Sequence, residues 1–366
     1  MEKQVMFIHV FPKSKFTECH VTFINSSFSA AEHEFILYTN KEFRIPDYIY
    51  NEGNVYDLDK EGLNWFYKKL QKADGVIFHT LGINLYALIM LFLHKEILRK
   101  SMWLIWGADL YCYREPKESL PDKIVEYLRK EVISCFAVIA TLTQGDYVLA
   151  RKWYHVKAPN VRVDYYYERE IRILQALHDA KTRTNTRHRI LLGNSATKTN
   201  RHEEILNFFE KFKEADFELI VPLSYGDMEY GEYIEKIGTE KLGDKFIPIM
   251  QYMELEQYYE LLNSVDAAIF NNDRQQALGN IAALLYLGKK VYMRRETTMW
   301  EELVDIRGYR IHSIEELSNT DIESMIYMDA EEKNRNFQSI NELYSVDRRV
   351  KEWREAFSLL LNERKI

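Results

Sequence analysis

The sequence predicts an α/β protein built from two doubly wound, Rossmann-like domains in series that face a cleft. Three observations carry this reading. Short apolar runs alternate with helical patterns as far as Thr141, a polar arm interrupts them, and the alternation restarts at Arg189. The length of 366 residues, at roughly 100–200 residues per domain, accommodates two such domains.

In chain order, Val5–Val10 (VMFIHV) reads as a buried strand, and a helical pattern carrying Phe23, Ile24 and Phe28 follows it. Glu34–Tyr38 is a second strand, Leu63–Leu70 a helix, Gly75–His79 a third strand and Asn84–Arg99 a helix. Met102–Trp106 is a fourth strand, Asp122–Ser134 a helix and Ala137–Thr141 a fifth strand. Strands that are apolar throughout and alternate with helices belong to parallel sheets covered on both faces. Tyr165–Arg187 is polar and helix-prone, with a Thr/Asn/Arg stretch from Lys181 to Arg187, and reads as a connecting arm. Arg189–Leu192, Phe217–Val221, Lys245–Ile247, Ala267–Phe270 and Lys290–Met293 are then strands, interleaved with helices over Arg201–Phe212, Glu254–Asn263 and Ile281–Leu287. The expected domains are 1–164 and 189–345, joined by an arm over 165–188, with a C-terminal helix at 346–366 free to pack back on the first.

Composition narrows the function. Lys and Arg number 49 against 56 Asp and Glu, a net charge of −7, so bulk positive charge for nucleic acid is missing and no nucleic-acid partner is expected. Three cysteines, Cys19, Cys112 and Cys135, lack the spacing of a disulfide framework or a thiolate zinc site, which fits a reducing compartment. The opening residues lack the apolar core and cleavage site of a signal peptide. The longest apolar stretch, Leu85–Leu93, is about half of the roughly 20 residues needed to span a bilayer. A cytoplasmic protein is expected. Leu85–Leu93 is followed by His94, Lys95, Arg99 and Lys100, a pattern that also suits peripheral contact with an anionic membrane.

Familiar cofactor signatures are absent from the sequence. No GxGxxG follows the first strand, and Gly238–Gly243 is followed by Asp244 where a phosphate-binding loop needs Lys. Asp57-Leu58-Asp59 offers an acidic pair to a metal-dependent transferase, although such a pair recurs by chance. Two segments are better suited to a phosphate. Leu191–Asn200 (LLGNSATKTN) and Asn271–Asn280 (NNDRQQALGN) each lie between a strand and a helix, where backbone N–H groups and a positive helix end meet an anion. Arg274 adds a permanent charge and Gly279 admits close backbone approach. The plain alternatives are a helix cap for the first and a solvated loop for the second. In the first domain Asp109 follows a buried strand, and His9 and His79 stand at the ends of strands one and three; each is placed to accept a proton from a hydroxyl.

FIHV around His9, IFHT around His79, IWGADLY at 105–111, LLGNSATKTN at 191–200, IVPLSY at 220–225, RQQALGN at 274–280 and RRETTMW at 294–300 occur in the order seen in family 56 of the glycosyltransferases, which the chain resembles from about residue 5 to 305. The resemblance implies a B-type glycosyltransferase with an acceptor-binding first domain and a nucleotide-sugar-binding second domain. It implies transfer of an amino-deoxy hexose from a dTDP-linked donor to a polyprenyl-diphosphate-linked oligosaccharide during surface polysaccharide assembly, at the inner face of the membrane. No metal or other cofactor is expected. Asp109, His79 and His9 fall on the acceptor side. Gly193, Asn194, Ser195, Asn200, Pro222, Tyr225, Arg274, Gln275, Gln276, Gly279, Asn280 and Glu296 fall on the donor side. Ala196, Ala277 and Asn280 depart from the family's usual Gly, Gly and Thr. The competing readings are a protein that holds a nucleotide sugar without chemistry, a transferase using a UDP- or GDP-sugar and another acceptor, and a metal-dependent transferase using Asp57 and Asp59.

Overall fold

The computed structural model describes residues 5–39, 43–180 and 187–364. The chain divides into two compact lobes. The first runs to Tyr167 and takes in the stretch from Ser345 onward; the second is Glu168–Tyr344.

The first lobe is built on seven strands: β1 Phe7–Pro12, β2 His33–Tyr38, β3 Val55–Asp57, β4 Gly75–His79, β5 Ser101–Leu104, β6 Val138–Thr141 and β7 Asn160–Arg162. Their order is β3-β2-β1-β4-β5-β6-β7, and every pairing is parallel. Alternation along β1 sends Ile8 and Val10 into one core with Phe78 and Trp103, and Phe7 and Phe11 into the opposite core with Phe35 and Ile77. Both faces are buried, which is why these strands read as unbroken apolar runs. The C-terminal helix Val346–Glu363 covers the second face with Trp353, Ala356, Phe357 and Leu360, and Trp353 Nε1 donates to the Asp164 carbonyl at 2.9 Å.

The second lobe repeats the plan with six strands: β8 His188–Leu192, β9 Phe217–Pro222, β10 Phe246–Ile249, β11 Ala267–Phe270, β12 Lys290–Met293 and β13 His312–Ser313. The order β10-β9-β8-β11-β12-β13 is again wholly parallel. Leu191, Ile220 and Phe270 fill one face of this sheet, Ile190, Val221 and Ile269 the other. Each lobe is a doubly wound sheet, so the double Rossmann architecture expected from the sequence is present.

Some elements differ from expectation. β3 and β7 are the edges of the first sheet and β13 an edge of the second. Their sequences, VYD, NVR and HS, carry no apolar run because an edge strand is only half covered. The helix expected over Asn84–Arg99 stops at Leu93; His94 leaves helical geometry, and a separate turn follows at Lys95–Leu98. His9 is the third residue of six in β1, inside the strand and not at its end. Within the polar arm, Glu168–Asp179 is a helix whose Ile171 and Leu174 are buried, whereas residues 181–186 lie outside the described residues.

Candidate functional site

In doubly wound sheets a ligand crevice opens at the carboxyl ends of the strands where the winding order reverses. In the second lobe the reversal falls between β8 and β11. The two segments singled out in the sequence, 193–200 and 271–280, leave those two strands and meet there. Gln276 Nε2 donates to Asn194 Oδ1 at 2.9 Å, Thr199 Oγ1 donates to Gln276 Oε1 at 2.6 Å, and Asp273 N donates to the Thr199 carbonyl at 3.1 Å. Asn194 Nδ2 in turn donates to the Tyr225 hydroxyl at 2.7 Å, and Ala196 N to the Tyr225 carbonyl at 2.8 Å, which ties in the loop after β9.

Gly193 is obligatory for this turn. Its φ is +68°, and a β-carbon there would lie 2.8 Å from His202 Nε2 and 2.9 Å from Asn200 Oδ1. Asn200 is fully buried and holds the loop from within, its Nδ2 donating to the Ser195 carbonyl at 2.9 Å and to Thr197 Oγ1 at 2.8 Å. Pro222 is the buried last residue of β9, so it shapes the loop. Burial also pushes the His202 imidazole down to about 4, and its Nδ1 pairs with the Tyr230 hydroxyl at 3.2 Å.

Both helices that follow the crossing strands start without a side-chain cap. His202–Phe209 begins after Arg201 at φ 49°, and Leu278–Tyr286 after Ala277 at φ 60°. Left-handed geometry is costly for such residues and tends to occur at functional positions. The first-turn N–H groups of Leu278–Tyr286 are therefore left to another acceptor, and the positive end of the helix favours an anion. Gly279 is exposed in that first turn, with nothing within 4 Å of where its β-carbon would be. Other helices are capped by Ser119, Thr143, Asp227 and Asp329, while Thr17–Ser27 and Leu63–Lys72 also start without a side-chain cap. Arg274 is half-buried beside this turn, donating through Nη1 to the Gln275 carbonyl at 3.1 Å, and Asn280 Nδ2 donates to the Tyr258 hydroxyl at 2.8 Å. Glu296 is exposed beyond β12, 3.7 Å from Arg294.

Three residues inside segments that the sequence singled out were given no site role there. Asn271 and Asn272, directly after β11, are buried; Asn271 Oδ1 accepts from Arg294 Nη1 at 3.0 Å, while neither amide atom of Asn272 has a partner among the described residues. Arg294 also approaches Glu204 at 3.3 Å. A buried amide left unpaired costs about 1–3 kcal/mol, a burden tolerated mainly where a ligand or water completes it. The signal lay in the paired Asn right after an apolar strand.

In the first lobe the order reverses between β1 and β4, the strands of His9 and His79. Both histidines are fully buried and linked at 3.0 Å, and the cluster extends to His33 and His20 at 3.1 and 3.3 Å from His9. Burial, then mutual repulsion, holds His9 and His79 well below the ordinary histidine range, so they are neutral. His79 Nδ1 meets the Tyr165 hydroxyl at 2.8 Å, and Trp106 Nε1 donates to the same hydroxyl at 2.8 Å. Trp106 N donates to Asp109 Oδ1 at 3.0 Å, so the three acceptor-side candidates are joined through Trp106 and Tyr165. Asp109 is 7% exposed, and its other oxygen accepts from Trp103 Nε1 at 2.8 Å and Leu81 N at 3.0 Å. A carboxylate has about four acceptor positions. One remains open after these three bonds.

The acidic pair is already engaged: Lys13 Nζ sits 3.0 Å from Asp57 and 3.4 Å from Asp59. Nitrogens of His9, His20 and His79 lie within 4.8 Å of one another, fully buried among aromatic rings, and His9 is linked to both of the others and to His33.

Comparison with known proteins agrees with this architecture. The family profile described as 4-alpha-L-fucosyltransferase, glycosyl transferase group 56, matches residues 21–357. Among solved structures, a sucrose-phosphate synthase from Thermosynechococcus elongatus is similar at TM-score 0.64 and 10% identity, covering 98% of this chain and 99% of that one. A UDP-forming trehalose-phosphate synthase from Burkholderia xenovorans (0.62, 10%, 98% and 99%) and a glycosyltransferase from Rickettsia africae (0.61, 11%, 98% and 99%) are also similar. At such low identities the likeness is one of fold.

Proposed function

The chain belongs to the 4-alpha-L-fucosyltransferase family, glycosyltransferase group 56, and is thus an enzyme that takes a sugar from a nucleotide-sugar donor; from that premise we propose a specific donor, acceptor and set of residues. The donor is a dTDP-linked amino-deoxy hexose, and the acceptor a polyprenyl-diphosphate-linked oligosaccharide of a bacterial surface polysaccharide such as enterobacterial common antigen. The protein works peripherally at the cytoplasmic face of the membrane. The observation that carries the diphosphate site is the uncapped helix end at Leu278, locked to the Gly193–Asn200 turn by Gln276 and flanked by Arg274, while the nucleotide and sugar rest on the family resemblance.

In this reading the acceptor hydroxyl attacks the anomeric carbon, the bond from that carbon to the diphosphate breaks, and the hydroxyl proton passes to a base. The leaving diphosphate is stabilised by the N–H groups of Asn194 and Ser195 and of Gly279 and Asn280, with Arg274 as the counter-charge, so no metal is required. Asn194, Gln275, Gln276 and Tyr225 line the same crevice, and the exposed Glu296 offers a carboxylate to a sugar or ribose hydroxyl. Asp109 is the base, through its one open acceptor position. Fully buried His79 and His9 act as positioning residues through Tyr165 and Trp106.

Product mass spectrometry tests this reading. The protein is offered dTDP-, UDP- and GDP-sugars with a short-chain polyprenyl-diphosphate acceptor. Transfer from the dTDP donor, retained in EDTA, is expected. Tight donor binding without product would favour a binding protein, and EDTA loss rescued by manganese would reinstate the acidic pair. Asp109→Asn should lower kcat at least a hundredfold with donor Kd nearly unchanged, as loss of a general base commonly does. Full turnover in this variant would remove Asp109 from the chemistry.

A further inference from the structure

Helix Leu85–Leu93 (LYALIMLFL) contains no charged or amide side chain on any face. A helix apolar all round is normally enclosed. Here Ala87, Leu88 and Leu91 are buried, while Leu85, Tyr86, Ile89 and Leu93 are exposed, Tyr86 by 72% and Leu93 by 67%. Its packing neighbour Leu120–Ile133 shows the same excess. Leu128 and Val132 face the core, yet a second apolar stripe at i, i+4 and i+7, Leu120, Ile124 and Tyr127, stands in solvent. The two edges meet where the Phe92 ring lies 6.3 Å from Tyr127 and Lys95 bonds Glu131 at 2.8 Å. Seven large side chains on two packed helices exceed the scattered exposure of an ordinary surface, and such continuous patches mark interaction sites.

The charges around this face select its partner. Glu131 is paired with Lys95 and Glu126 with Arg129 at 3.6 Å, while Asp122, in the Ser119 capping box, and Glu96, Glu115 and Glu118 are exposed at the margins. Lys100 is also committed, its Nζ bonding the Gln71 and Ala73 carbonyls at 2.7 and 2.6 Å. Arg99 and Lys123 remain exposed at the margins. Over 95–100 and 114–133 eight cationic side chains stand against six carboxylates, a local surplus on a chain of net charge −7, so a second copy would bring like charge to the seam. An anionic lipid surface complements both features, taking the aliphatic side chains into its acyl boundary, the tyrosines at headgroup level and the two cations against phosphate. No helix among the described residues is long and apolar enough to cross a membrane, so the contact is peripheral.

We infer that the Leu85–Leu93 and Leu120–Ile133 helices together form the face by which the first lobe rests on an anionic bilayer. This rests on the reading of a lipid-linked acceptor, and it shifts the weight from the cations of one helix to an apolar face made by two. Co-sedimentation of the full chain with vesicles of phosphatidylglycerol and phosphatidylethanolamine, and of phosphatidylcholine alone, tests it. The wild type should bind the anionic vesicles at least tenfold better than the neutral ones. A Leu93→Gln, Leu120→Gln, Ile124→Gln variant should bind the anionic vesicles at least tenfold more weakly, and Arg99→Gln with Lys123→Gln should lose the preference for anionic lipid. These side chains are exposed, so the variants should keep the wild-type circular dichroism and melting temperature. Absent wild-type binding, or equal binding by the triple variant, overturns the inference. So does a triple variant that changes only the oligomeric state, which would make the face a self-association surface. Transfer to a water-soluble short-chain acceptor keeps the two readings apart: it should survive in the triple variant, and its absence in the wild type alongside intact vesicle binding would sink the transferase details and not this face.

Discussion

At the scale of single residues, the proposed donor site divides into groups that hold the crevice and groups that the proposal turns toward a ligand. Asn200 and His202 belong to the first kind and Arg274 to the second. Arg274→Ala should leave folding nearly intact, because the guanidinium is only half-buried and outside both cores. A charge-assisted bond to diphosphate contributes about 1.5–3 kcal/mol, so donor binding should weaken by roughly 10- to 150-fold. Calorimetric titration with a dTDP-sugar measures this, and an unchanged Kd would take Arg274 out of the site. His202 makes a prediction in pH. Its imidazole titrates near 6.5 when unfolded and about 4 when folded, so the unfolded chain binds the proton first as pH falls. The contribution is fully present above about pH 6.5 and is lost as pH falls from there through about 4. At about pH 5 the loss is about 2 kcal/mol. Urea unfolding at about pH 7.5 and 5 should show a smaller drop for His202→Gln by that amount, whereas equal drops would mean that His202 is not buried neutral. The signals in this loop were readable because Gly and Asn mark the turn that leaves each strand and Arg274 sets a permanent charge beside it. Asp109 shows the limit: three N–H donors from Leu81, Trp103 and Trp106 converge on it, and no local pattern announces contacts across 28 residues.

At the scale of elements, the start of the helix after β11 carries the proposed anion site: it opens on Ala277 in left-handed geometry and an exposed Gly279, where Ser119, Thr143 and Asp329 cap other helices with their side chains. A glycine in a first turn costs stability relative to other residues, and a carboxylate there favours the helix. Gly279→Asp should therefore leave thermal stability equal or raise it by about 0.5–1 kcal/mol, since space for the side chain is open. The same carboxylate would occupy the place of the diphosphate, so donor affinity should fall at least tenfold. A stability scan beside a binding titration checks both. Loss of stability would mean that the glycine serves packing, and retained affinity would mean that the anion binds elsewhere. Central strands and amphipathic helices were legible because burial on both faces or on one stripe writes a period into the sequence. The edge strands β3, β7 and β13 were not, since their pairing depends on a neighbour's backbone more than on their own side chains.

At the scale of the whole molecule, the restart of alternation at Arg189 made the second sheet legible, but the composition of the first core was not. The sequence allowed a C-terminal helix that packs back on the first domain, but nothing local in VKEWREAFSLLL says which face it covers. The answer is tertiary: Trp353, Phe357 and Leu360 pack with Phe7, His9 and Phe35 on the first lobe's sheet, although they follow the entire second lobe in sequence. Each lobe encloses its own cores, so a core lesion should be felt locally. Trp353 is fully buried and its indole N–H bonds the Asp164 carbonyl. Trp353→Ala removes a large side chain and orphans that acceptor, a loss of about 3–5 kcal/mol. In native-state hydrogen exchange, amides of β1, β4 and β6 should lose protection by a factor of about 100 or more, from the lower end of that range. Amides of β8, β9 and β11 should keep theirs within a few-fold, and affinity for a dTDP-sugar, which the proposed site assigns to the second lobe, should be nearly unchanged. Equal loss in both sheets would show that the lobes unfold as one cooperative unit and that the C-terminal helix stabilises more than the sheet it covers.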